Sequence, residues 1–321
     1  MPERPPFPFV VGCGRSGTTL VRAILDAHPD MAVPDESYFP LWLGRHRERY
    51  ERPDGFATDT LVDDLLAHES SVRWGLPADT VRAALAEAAP TTFADGVRAY
   101  YRAYAHAHGK GRYADKTPIF VLHLPVLAEL FGEARFVHMI RDGRNVVLSR
   151  VSTAWGTNRF DFETMQWRAH VEQGRAAGRA LGPDRYLELR YEELLDDPEA
   201  VTRELCRFVD LEFDPGMLRY HERAAPLVEA QPHPGEHRNL LRPPTAGLRD
   251  WRTELDASRV ALFEALAGPT LDDLGYERGA ARSTPAVRAR AVWARARYGA
   301  TMQYRRAKHT LWRVAHRRER A

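Results

Sequence analysis

The stretch that most constrains this chain is Pro8–Pro29, PFVVGCGRSGTTLVRAILDAHP. Phe9-Val10-Val11 is an apolar run of strand type, Gly12 to Gly17 form a glycine-punctuated turn, and Thr18–Ala27 has the composition of a helix. Strand, glycine loop and helix in that order make an anion site, because the loop and first helical turn carry N–H groups with no intrahelical partner. The glycines let the backbone approach a ligand and adopt angles that a Cβ forbids. Arg15, Ser16, Gly17, Thr18 and Thr19 add a cation and hydroxyls around the same anion.

The spacing Gly12-x-x-x-x-Gly17 fits a phosphate loop, but Thr18 stands where nucleotide triphosphatases place Lys. No apolar strand runs into an obvious Mg²⁺-holding Asp. The loop therefore suits a donor with a 5′ anionic group and no metal requirement better than it suits MgATP.

Composition narrows the class further. A hydrophobic fraction of 44% and a charged fraction of 28% are those of a globular protein, and 321 residues suffice for one large α/β domain or two smaller ones. No apolar run approaches the roughly 20 residues of a membrane span. MPERPPF lacks signal-peptide character, and Cys13 and Cys206 are too few for a disulfide framework or a cysteine zinc site. The expectation is a cytoplasmic protein without a metal.

Further along, Met31–Val33 reads as a second strand. Asp59–His68, Ala78–Ala89 and Phe93–Ala107 read as helices of an insertion spanning about residues 40–110, punctuated by Pro53, Pro77 and Pro90. Arg112–Ala114 reads as a strand entering the loop Asp115-Lys116-Thr117-Pro118, and Ile119–Phe131 as a helix capped by Gly132. Arg135–Ile140 is a buried strand, Arg144–Ser152 and Phe162–Leu181 are helices, and Arg185–Arg190 alternates as a strand. Asp197-Pro198 caps a helix running to about Val209. The alternation predicts an α/β, three-layer fold of phosphate-loop type with a central parallel sheet. Ligands of such sheets bind outside the carboxyl ends of the strands, where Arg15, Glu36, Lys116, Arg141 and Tyr191 all fall. Residues 1–281 are expected to form the catalytic domain and residues 282–321 a basic helical extension.

At this point the residues resemble a family. GCGRSGTTL resembles the 5′-phosphosulfate loop of sulfotransferases that use 3′-phosphoadenosine-5′-phosphosulfate (PAPS), and RFVHMIRDGRNVVLS resembles their site for the donor's 3′-phosphate. The resemblance implies that Arg141 and Ser149 bind that phosphate. RSGTTLVRAILDAHPDMAVPDES is most similar to the tyrosylprotein branch. That similarity implies Glu36 as general base, with Asp35 as its rival, Lys116 of DKTP as a catalytic cation and Tyr191 of RYEEL as a donor-binding residue. A weaker echo near Leu241–Trp251 implies Arg242 and Thr245 as further donor contacts. Where that branch carries Arg two and six residues after its base, this chain has Tyr38 and Trp42. The acceptor implied is therefore a hydroxyl on a small molecule as much as on a peptide. Histidine serves as base in other branches; His123 is the one nearest a motif, inside the expected helix.

Charge is unevenly distributed. Residues 282–321 hold eleven Arg and one Lys against Glu319, so this segment carries +11 within a chain of net +2. Over Ala286–His316 an Ala- and Arg-rich helix places Trp293, Ala300, Tyr304, Ala307, Leu311 and Val314 on one stripe. This pattern fits a peripheral contact with anionic lipid, packing on the acidic body or a second subunit, or a solvated helix. No nucleic-acid-binding module accompanies the charge, and oligomeric state is left open. Two rival functions stand beside sulfuryl transfer: a kinase-like enzyme with an altered phosphate loop, and a membrane- or partner-binding protein acting through the basic segment.

Overall fold

The computed structural model describes residues 4–153, 156–229, 233–243, 250–279 and 283–318. They fall into two compact units, one of residues 1–141 and 173–246 and the other of residues 142–172 and 247–321. In chain order, the first unit opens with β1 (Phe7–Gly12), α1 (Thr18–Asp26), β2 (Met31–Ala32) and α2 (Phe39–Gly44). A hairpin of β3 (Glu51–Arg52) and β4 (Gly55–Phe56) leads into α3 (Thr58–Ala67), α4 (Glu69–Val72), α5 (Ala78–Ala88) and α6 (Phe93–Ala107). Then come β5 (Arg112–Tyr113), β6 (Asp115–Lys116), a 3-10 turn at Pro118–Leu122, α7 (Leu124–Leu130) and β7 (Ala134–Ile140). The second unit begins with α8 (Gly143–Arg150) and the first part of α9 (Phe160–Leu181). The chain returns to the first for β8 (Tyr186–Arg190), α10 (Tyr191–Asp196), α11 (Pro198–Val209) and α12 (Ala225–Glu229); α13 (Trp251–Glu254), α14 (Ala257–Asp273) and α15 (Pro285–Arg318) complete the second.

The first unit is built on a parallel sheet of order β6-β1-β7-β8. All six residues of β1 are buried, as a strand covered on both faces requires. Its alternation sorts them into two cores. Phe7, Phe9 and Val11 pack with Phe120, Phe131, Phe136 and the helices between residues 39 and 107, while Val10 joins Val137, Met139, α1 and α11 on the other side. Helical layers on both faces of one sheet give the expected three layers. The cap read from the sequence is used: Asp197 accepts from the Ala200 N–H at 3.0 Å ahead of Pro198 in α11; Thr92, not singled out in the sequence, caps α6 in the same way, its Oγ1 accepting the Asp95 N–H at 3.1 Å.

Three expectations are corrected. Asp115-Lys116 is the edge strand of the central sheet, paired with Phe9 and Val10, rather than loop. Met31–Ala32 and Arg112–Tyr113 pair with each other in a separate two-stranded sheet and do not extend the central one. The helix expected over Ile119–Phe131 is divided, because Pro125 lacks the N–H that a continuous helix needs and opens a new first turn instead. His123 sits at that break, and Phe131 rather than Gly132 caps α7. The sequence reading assigned no helix to Ala257–Asp273, now α14.

In the second unit α8 starts on Asp142, whose Oδ1 accepts the Arg144 N–H at 2.9 Å and whose carboxylate also pairs with the buried Arg144 guanidinium at 2.7 Å. Arg144 lies 3.7 Å from the Trp251 ring centroid. Gly143 is required for space: a Cβ there would stand 2.4 Å from the Trp167 ring and 2.6 Å from Phe263. α15 packs Val287, Ala291 and Ala294 against Leu262 and Leu266 of α14.

Candidate active site

The loop after β1 has the backbone that its glycines promised. Arg15 has φ +76° and Gly17 φ +99°, and the Ser16 N–H bonds the Cys13 carbonyl at 3.1 Å. α1 starts at Thr18 with no side-chain cap, so its leading N–H groups face the loop's concavity. Ser16 is 1% exposed, and its hydroxyl has no hydrogen-bond partner among the described residues. A buried hydroxyl inside such a loop, uncommitted to any described residue, is suited to donate to an anionic ligand.

Two strand ends converge on this loop. Tyr191 opens α10 directly after β8, and a Cβ on Gly17 would lie 2.5 Å from its ring. Arg141, the residue after β7, lays its guanidinium 4.3 Å from the Tyr191 ring centroid and donates to the Arg15 carbonyl at 3.4 Å. Arg15, Gly17, Arg141 and Tyr191 are thus brought together at the carboxyl ends of β1, β7 and β8. Stacking on Tyr191 holds the Arg141 plane in a fixed direction, which suits a two-pronged grip on phosphate.

Glu36 and Lys116 form the second cluster. The Lys116 ammonium, 1% exposed, donates to Glu36 Oε1 at 2.7 Å, and the Tyr38 hydroxyl donates to Oε2. Burial alone would raise the Glu36 pKa, but the Lys116 charge and the bonds from Lys116 and Tyr38 bring it below the ordinary value. Tyr38 reaches Glu36 from a backbone at φ +41°, uncommon for a residue with a side chain.

The rival carboxylate is otherwise employed. Asp35 is buried, its Oδ1 3.3 Å from Arg22 of α1 and its Oδ2 2.9 Å from Arg73, while its carbonyl accepts from Trp74 Nε1 at 2.9 Å. Desolvation pushes its pKa up, yet the Arg22 and Lys116 charges more than reverse this. Asp35 is an anchor, and Glu36 is the carboxylate left partly open to solvent, with its side chain 25% exposed.

The neighbours of the pair are also tied together. Ser37 donates its N–H to Thr117 Oγ1 at 3.0 Å and its hydroxyl to Asp115 Oδ2 at 2.6 Å. The Thr117 and Tyr101 hydroxyls also donate to Asp115 Oδ2, at 3.3 Å and 2.7 Å, and burial pushes the Asp115 pKa up to about 6. Residues on either side of Glu36 and on either side of Lys116 are therefore fixed, and the two charged groups between them have little freedom to separate. Sequence reading named Tyr38 only as standing where the resembling branch carries Arg, and it missed Ser37 and Thr117 as members of the site, although each of these two adjoins a residue it selected. Arg73 carried no signal at all, because it reaches Asp35 from 38 positions away.

The remaining selected residues are placed as follows. Thr18 is buried and Thr19 half-buried in the first turn of α1. Ser149 is buried in α8 of the second unit. Arg242 is exposed, and its carbonyl accepts from the Tyr220 hydroxyl at 3.1 Å. Thr245 lies outside the described residues. His123 is half-buried, and burial lowers its pKa.

Comparison with known proteins agrees with this arrangement. The model of the "Sulfotransferase family" matches residues 6–215. A putative protein-tyrosine sulfotransferase of Caenorhabditis briggsae is 26% identical over 288 residues, 85% of this chain and 90% of that protein. The protein-tyrosine sulfotransferase of Drosophila melanogaster is 28% identical over 225 residues, 68% of this chain but only 40% of the fly protein's length. In fold, the chain is similar to the sulfotransferase domain from the curacin biosynthetic pathway, with TM-score 0.53 and 16% identity over 86% of this chain and all of that one. The sulfotransferase domain of the Synechococcus PCC 7002 olefin synthase gives TM-score 0.50 and 20% identity over 78% of this chain and 93% of that one. With the family model covering well over half of its length, the chain belongs to the sulfotransferase family.

Proposed function

We propose that this protein transfers a sulfuryl group from PAPS directly to a phenolic hydroxyl, on a tyrosyl peptide or a small molecule. When bound, PAPS supplies the sulfuryl group. The residues present fit such a donor: the Gly12–Gly17 loop and the N–H groups of α1 suit its 5′ end, the Ser16 hydroxyl has no partner among the described residues, and Arg141, fixed against Tyr191, suits a phosphate. Ser149 and Arg242 are proposed as further donor contacts on the resemblance of their motifs.

The observation that carries the reading is the environment of Glu36. Lys116 holds one of its oxygens, and a phenol O–H, that of Tyr38, already donates to the other. Glu36 takes the acceptor proton late in the transfer, when the bond forming to sulfur has made that proton acidic. Lys116 and Arg15 bring positive charge to oxygens that gain negative charge as the bond to the departing phosphate breaks. With an oxygen nucleophile supplied by the acceptor, no covalent protein intermediate is needed, and transfer is in line.

Tyr38 and Trp42, 41% and 51% exposed, support an aromatic acceptor at this site rather than one chosen for acidic residues. The protein-tyrosine relatives support a peptide among the acceptors. The donor assignment is tested by calorimetry with adenosine 3′,5′-bisphosphate. Wild type binds it, and Arg141→Ala weakens that binding about tenfold or more while changing affinity for adenosine 5′-phosphate little. Equal losses for both nucleotides contradict the role given to Arg141, and no binding by wild type contradicts the donor.

A further inference from the structure

The long helix α15 shows a second surface that the transfer chemistry does not use. One side of it is packed: Ala291 and Ala294 are each 2% exposed against α14, Tyr298 lies 5.2 Å from the Phe162 ring, and Arg297 pairs with Asp161. At 3.6 residues per turn the opposite side carries Ala289, Val292, Trp293, Ala296, Ala300 and Tyr304, all exposed. Val292, Trp293 and Tyr304 are 64%, 59% and 68% exposed. Up to Lys308 the only polar side chain in that arc is Gln303, and no charge falls within it. The charges flank it, Arg288 and Arg295 along one edge and Arg290, Arg297 and Lys308 along the other, with the Arg297 guanidinium 4.0 Å from the Trp293 ring centroid; Arg305 turns inward, 5.5 Å from the Phe162 ring centroid.

This is the reverse of a solvated helix, which turns its charged face outward and its apolar face inward. Here the outward face is apolar and cations line its boundaries. We propose that the outward face of α15 is a docking surface for an anionic lipid bilayer, lying in the plane of the interface. The apolar stripe enters the boundary between headgroups and acyl chains, with Trp293 and Tyr304 at the level where amphipathic rings settle. The flanking cations meet anionic headgroups. Charge selects this occupant: a second copy laid on the same face would bring two rows of like charge together, and a polynucleotide has no use for an apolar stripe between the cations. The helix lies on the bilayer rather than crossing it, since no helix among the described residues is long and apolar enough to span one.

The test is flotation of the full chain, without any nucleotide, on phosphatidylcholine vesicles with and without phosphatidylserine, so that its result is independent of the donor assignment. The expected result is flotation with the anionic vesicles that weakens as salt is raised. Trp293→Ala/Tyr304→Ala and, separately, Arg288→Glu/Arg290→Glu should each lower partitioning at least about tenfold. Both pairs are exposed, and an unchanged melting temperature verifies that the fold survives. Three outcomes overturn the proposal: no flotation at low salt, flotation indifferent to both double variants, or a dimer in light scattering that Trp293→Ala/Tyr304→Ala dissociates while vesicles remain unbound.

Discussion

A catalytic carboxylate here must be both buried against a lysine and available to a hydroxyl. Glu36 meets the requirement by division: Oε1 faces Lys116 and Oε2 faces Tyr38. Its pKa lies below the ordinary value, so the carboxylate is charged, and the interactions it makes stabilise the fold, above the unfolded glutamate pKa. Both are lost as pH falls through the depressed folded value. Tyr38 contributes to that depression as a donor, while Lys116, Asp35 and Arg73 face the pair from their own elements. Tyr38→Phe removes one bond to the charged form and is expected to move the acid limb of kcat/KM upward. A pH profile in which that limb stays put or moves down contradicts the coupling. Asp35 illustrates how the sequence left its question open. Two adjacent acids are equivalent on paper, and only Arg22 and Arg73, both distant in the chain, make one an anchor and the other a base candidate.

At the element scale, the strand–loop–helix unit was legible because its physics is local: an apolar run, glycines where φ is positive, and a helix start without a cap. β7, β8 and the cap of α11 were legible for the same reason. What was not legible depends on pairing between distant segments. A two-residue strand such as β6 has no periodicity to read, and it is a strand only because Asp115 and Lys116 pair with β1. That pairing sets Lys116 at the edge from which the loop emerges, and the bonds from Ser37 to Asp115 and Thr117 bring Glu36 to it. The loop makes its own prediction. Gly17→Ala must adopt φ +99°, at a cost of at least about 1–2 kcal/mol, and must displace the Tyr191 ring 2.5 Å away. Tyr191 is the surface on which Arg141 rests. The variant should therefore lose bisphosphate binding in calorimetry even where circular dichroism shows the fold retained; wild-type affinity would contradict this packing.

For the whole molecule, a net charge of +2 conceals two bodies of charge, +11 in residues 282–321 and −9 in the remainder. The basic segment was readable as a helix with an apolar stripe, but not the direction in which that stripe points. Packing of Ala291 and Ala294 on α14 turns Trp293 and Tyr304 outward. Leu311 and Val314, which the sequence places on the same stripe, have side chains outside the described residues. The central claim remains the chemistry at Glu36, and it has one direct measurement. Wild type and Glu36→Gln are incubated with PAPS and a panel of simple phenols and tyrosyl peptides, with products read by mass spectrometry and bisphosphate affinity by calorimetry. The account predicts that wild type adds one sulfuryl group to a phenolic oxygen, and that Glu36→Gln lowers the rate about 10²–10⁴-fold at unchanged bisphosphate affinity. Transfer at the wild-type rate by Glu36→Gln, or loss of bisphosphate binding along with activity, would contradict it.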